Sequence, residues 1–106
     1  MSRNADRDGL FAAFRHKAVE PDTLFLLNAQ DALDFLDAAK SLGFKLAGVE
    51  GFLITDAGAY QPSQDFSNDR ADSNASPAEF EAETKDLILR GVSIGMRFQV
   101  VFEPDH

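Results

Sequence analysis

Between Gly91 and Phe102 apolar side chains fall on every second position: Val92, Ile94, Met96, Phe98, Val100 and Phe102. An extended chain places all six on one face and leaves Ser93, Arg97, Gln99 and Glu103 on the other. The alternation predicts a long strand over residues 91–102 with a covered apolar face. Gly95 marks a bulge or bend in it, and Pro104, which has no N–H to give a ladder, ends it.

Helical spacing takes over elsewhere. Ala29, Ala32, Leu33, Leu36 and Ala39 form one stripe, and Gln30, Asp34, Asp37 and Ser41 form the opposite, polar one. Asn28 is placed to cap this helix, Asp31 favours the positive end of its dipole, and Gly43 supplies a left-handed stop. Ser76-Pro77-Ala78-Glu79 reads as a capping box that opens a second helix, with Phe80, Thr84, Leu87 and Ile88 inward. Glu81 with Lys85, and Asp86 with Arg90, stand four apart on its outer surface before Gly91 closes it. Phe80 and Phe98 are expected to meet across the two layers. Nearer the start, Asp8 is expected to cap a short helix carrying Leu10, Phe11 and Phe14, which ends before Pro21. Residues 1–8 are polar and expected to be disordered, leaving 9–106 as one domain.

Three further segments read as extended. The apolar run 23–27 is taken as a short buried strand. Residues 44–55 follow, with Gly48 and Gly51 bracketing Val49 and Glu50. Strict alternation would put Glu50 on the face of Phe44, Leu46, Phe52 and Ile54, so either a bulge turns it out or buried donors satisfy it. Asp56-Ala57-Gly58 then forms a three-residue hairpin loop to a strand that Pro62 stops, and residues 63–75 read as an irregular polar loop. The fold class is α+β, a two-layer sandwich of helices on a mainly antiparallel sheet. A ferredoxin-like β-α-β-β-α-β order behind an N-terminal helix is one form it could take.

Charge changes this picture by its location. The 106-residue chain carries −8, and residues 50–83 hold eight acids (Glu50, Asp56, Asp65, Asp69, Asp72, Glu79, Glu81, Glu83) against Arg70 alone. Such a field repels nucleic acid and anionic membranes and steers a basic partner, or else it only keeps a small domain in solution. No apolar run reaches the length of a membrane span, and residues 1–7 lack an apolar signal region, so a cytoplasmic location is expected. There is no cysteine, which excludes disulfides and thiol chemistry.

Candidate chemistry is sparse. His16 and His106 are the only histidines; His16 reads as a surface or helix-end residue, His106 is the last residue, and no zinc-ligand spacing is present. Asp65, Ser67 and Asp69 imitate the start of a calcium loop, but Arg70 and Ser76 occupy the places that need glycine and glutamate. No enzyme, cofactor or metal site is therefore expected. Protein binding fits better: Tyr60 and Phe66 could anchor a partner while Glu50, Asp56, Asp65, Asp69 and Asp72 receive its Lys or Arg. Phe66 could equally fold back over the core edge. A small-molecule regulatory module of the ferredoxin-like type is the alternative.

One resemblance sharpens the binding reading. A helix with Ala32, Leu33 and Leu36 leads to a glycine-acid-aromatic strand, Gly48, Glu50 and Phe52, and then past a hairpin to Asp65 and Phe66. This pattern, over about residues 29–69, resembles the central motif of the family called immunity protein forty, of bacterial polymorphic toxin systems. The resemblance implies a non-enzymatic inhibitor that binds one cognate toxin domain.

Overall fold

Asn28 and Ser76 start the two long helices. In the computed structural model, which describes residues 3–103, the Asn28 side-chain oxygen accepts from the Asp31 N–H at 2.8 Å and opens α2, Ala29–Ser41. The Ser76 hydroxyl accepts from the Glu79 N–H at 3.2 Å, the Glu79 carboxylate accepts from the Ser76 N–H at 3.4 Å, and α3 runs Pro77–Arg90. Removing the hydroxyl leaves a first-turn donor without its acceptor. Ser76→Ala is therefore expected to lower unfolding free energy by about 1 kcal/mol, read as a shifted urea midpoint at constant slope. An unmoved midpoint would refute the cap's contribution.

The remaining helix, α1, spans Arg3–Phe14 and continues into a 3-10 turn, Arg15–Lys17. Asp8 thus lies inside the helix instead of capping it, and residues 3–8 of the segment expected to be disordered are helical. Pro104 and His106 lie outside the described residues. Between the long helices, Lys40 pairs with Glu81 at 3.1 Å and Lys85 with Asp37 at 2.9 Å. The hydrogen bond to Asp37, with Glu81 nearby, holds the Lys85 ammonium above the ordinary lysine range.

Three antiparallel strands, β1 (Leu46–Ile54), β2 (Tyr60–Asp69) and β3 (Arg97–Phe102), form a sheet of order β2-β1-β3. The β1–β2 turn is the loop expected from Asp56-Ala57-Gly58: Gly58 has φ 80°, and the Thr55 N–H donates to the Ala59 carbonyl at 2.8 Å. Pro62 does not stop the returning strand. It pairs with Phe52 within β2, and this is tolerated because β2 is an edge.

The final strand is shorter than its alternation suggests. Val92–Ile94 is a 3-10 turn with Val92 58% and Ile94 52% exposed, and Gly95 ends it at φ 68°. Only Met96, Phe98 and Val100 of the six are buried. The run 23–27 is likewise not a full strand. Left-handed backbone at Glu20 and Phe25, both at φ 52°, reduces it to single bridges, Val19 to Leu26 and Leu27 to Phe98. The split β-α-β-β-α-β arrangement consequently lacks its first strand, and the architecture is α+β with a three-stranded sheet.

One core lies between the helices and the sheet. Leu10 of α1, Leu36 of α2, Ile88 of α3, and Val49, Phe98 and Val100 of the strands share a buried cluster. At one end Phe35 gathers rings edge-on or tilted: Phe11 at 5.3 Å, Phe14 at 5.2 Å and Phe102 at 5.7 Å between centroids. Phe80 is buried but stands outside the cluster of Phe98, its ring beneath the Arg70 guanidinium at 5.5 Å. Leu87 and Ile88 supply the expected contact from α3 in its place.

Candidate functional site

Two irregularities in strand pairing shape the acidic region. Leu46 pairs with Phe102 and Gly48 with Val101, so Ala47 is an extra residue on β1. An extra residue reverses the in-out alternation. Leu46 packs on the core, and after the bulge it is Val49 and Gly51, opposite Val100 and Phe98, that face inward. Glu50, opposite Gln99, is thereby turned out of the core. The bulge resolves what strict alternation would have made a buried carboxylate.

The second irregularity is larger. Gly51 pairs with Ser63 and Val49 with Asn68, so Glu50 alone on β1 faces residues 64–67 of β2. The ladder bonds lost there are replaced by side chains. The Ser67 hydroxyl accepts from the Gly51 N–H at 3.1 Å and donates to the Ser63 carbonyl at 2.6 Å. The Asn68 side-chain oxygen accepts from the Val49 N–H at 3.1 Å, while its amide donates to the Thr84 hydroxyl at 2.9 Å. Thr84, fully buried, donates in turn to the Phe80 carbonyl at 2.8 Å. A polar chain thus ties the strand break to α3 and satisfies buried backbone donors.

Both glycines of β1 are required by close approach. A Cβ on Gly48 would stand 2.3 Å from the Asn68 carbonyl oxygen, and one on Gly51 would stand 2.6 Å from Phe66 Cβ. With the strands drawn together at these points, the intervening segment opens a cleft of about 460 Å³. Glu50, Asp69 and Asp72 line it with Ser63, Gln64 and Ser67, and no basic residue does. Asp69 also accepts from the Ala71 N–H at 2.9 Å, which starts the turn Arg70–Asp72. Arg70, the single base of residues 50–83, is engaged by Phe80 and by the Ser73 carbonyl at 3.3 Å. Among the described residues none of Glu50, Asp56, Asp65, Asp69 and Asp72 forms an ion pair.

The seven candidate partner-binding residues therefore separate. Glu50, Asp69 and Asp72 converge on the cleft, and Asp65 is exposed in the looped segment of β2 beside it. Asp56 lies in the hairpin turn and Tyr60 opposite Ile54, at the other end of β1. Phe66 is half-buried and packs against the core, so it closes the core edge. Ser67 and Asn68, which build the break, were not legible as functional; two polar residues in a polar stretch give no sign that they bond β1. Among the described residues no three His, Asp or Glu side chains converge as metal ligands. No family model, curated protein or solved structure matches the chain.

Proposed function

We propose that the chain is a non-enzymatic binding protein whose acidic cleft receives a basic protein partner, acting as an immunity-type inhibitor of a cognate bacterial toxin. The observation that carries this reading is the unpaired state of the carboxylates in and beside the cleft: the one nearby base is held by Phe80 and Ser73, leaving Glu50, Asp69 and Asp72 of the cleft and the neighbouring Asp65 without an ion pair among the described residues. Uncompensated charge of one sign steers an oppositely charged surface, and Lys or Arg of a partner supplies the missing counter-charge. The toxin setting comes from the sequence resemblance over residues 29–69.

Asp65 and Asp72 are exposed, so reversing both to lysine leaves the fold intact. The double reversal is expected to slow association with a captured basic partner by about tenfold and to flatten its salt dependence, with little change in dissociation. Plasmon-resonance kinetics at two salt concentrations, beside a melting curve, give the comparison. An unchanged association rate would reduce these carboxylates to a solubility feature.

A further inference from the structure

A second groove, of about 320 Å³, lies where α2 begins and where α3 passes into β3. Ala29, Leu33, Leu89, Val92 and Met96 make most of its wall, and Arg97 is its single charged residue. Three observations there have no use in the acidic cleft. Arg97 is half-buried, its Nε is buried without a hydrogen-bond partner, and its side chain makes no ion pair among the described residues. Among the described residues Lys45 and Arg70 likewise have no carboxylate within 4 Å, but only Arg97 has a buried side-chain nitrogen without a hydrogen-bond partner. Leu89 and Val92, although they wall the groove, are 55% and 58% exposed. Finally, Ala29 and Gln30 stand in the first turn of a 13-residue helix, whose leading N–H groups have no intrahelical acceptor, and the Asn28 side chain takes only that of Asp31.

A buried Nε–H without an acceptor is costly, and the group that matches the guanidinium's fork is a carboxylate. Apolar walls open to solvent ask for a hydrocarbon body. A volume of this size, at the lower end of small-molecule pockets, sets a short one. We infer that this groove binds a short apolar monocarboxylate, with the carboxylate on Arg97 and the start of α2 and the hydrocarbon on Leu89, Val92 and Met96. The site is separate from the acidic cleft and stands whether or not a basic partner docks there.

Hexanoate serves as the probe, and the neutral alcohol of equal length as its control, in a titration followed by amide and arginine Nε–H resonances at neutral pH. Hexanoate should shift Ala29, Gln30, Val92, Gly95 and Arg97, and hexanol should bind about tenfold or more weakly, because it cannot pair with the guanidinium. Arg97→Gln should lose about tenfold or more in hexanoate affinity while leaving the weak binding of hexanol unchanged. Val92→Glu, at an exposed position on the rim, should weaken hexanoate by repulsion and keeps the test available if the Arg97 variant does not fold. Equal binding of acid and alcohol, shifts confined to other residues, or an undiminished Arg97→Gln would overturn the inference. So would a dimer in sedimentation that protects Leu89 and Val92, because a second copy would then be the occupant.

Discussion

Phe98→Ala should lose about 3 to 5 kcal/mol of unfolding free energy, the largest stability effect expected of a single truncation here. Phe98 is fully buried in the cluster that joins all three helices to the sheet. Its ring tip stands 2.6 Å from where a Cβ on Gly91 would be, so the surrounding space is already filled up to the backbone. Phe98 also exchanges both main-chain hydrogen bonds with Leu27, at 2.9 and 2.7 Å, which fixes the backbone on either side of the void. A site held by backbone collapses little, and the cavity cost adds to the transfer cost. Urea unfolding of the variant beside Val101→Ala, an exposed neighbour on the same strand, separates burial from strand propensity. Similar losses in the two would contradict the layer assignment.

Gly48→Ala should cost roughly 3 kcal/mol, at the upper end for forcing extra volume into a packed site. The added methyl would meet a backbone carbonyl oxygen, which cannot rotate aside, at 2.3 Å. Relief requires β2 to move away, and that stretches the Asn68 bond to Val49 and, through the Asn68 amide, the bond to Thr84. The comparison is Gly58→Ala, where nothing lies within 4 Å and only the left-handed backbone at φ 80° opposes the side chain. That change should cost about 1 kcal/mol. Melting curves of the two variants rank steric approach against conformational strain. If Gly58→Ala proved the more damaging, close strand approach at Gly48 would not be what holds the break in shape.

Much of this architecture was legible because it is decided locally. The Asn28 cap, the Ser76 capping box and the Gly58 turn depend on residues within four positions of one another, and each forms as its sequence demands. The misreadings occur where backbone handedness or a distant partner decides. Val92, Ile94 and Met96 alternate as a strand would, yet Gly95 adopts a left-handed conformation and splits the run. The segment 23–27 is apolar enough for a strand, but Phe25 itself takes positive φ and limits it to bridges. Phe35 was available to the reading, since it follows Ala32 by three positions and precedes Ala39 by four; its place at the centre of the rings is tertiary. At the acidic site the charge was visible in the composition. The cleft was not, because it arises from a pairing offset between strands. Arg97 sat on the polar side of a predicted strand, where a cation suits water, and only the packed chain reveals that its Nε is buried without a hydrogen-bond partner among the described residues.

The interrupted pairing of β2 bears finally on how copies of this chain meet one another. An edge strand offers its outer N–H and C=O groups as a template on which a foreign strand can extend the sheet. On β2 that template is short of a donor at Pro62 and leaves the ladder over residues 64–67, with the charged Asp65 within the detour. No uninterrupted row long enough to seat an incoming strand survives along this border. The same offset that forms the cleft therefore makes this border a poor template for edge-to-edge pairing.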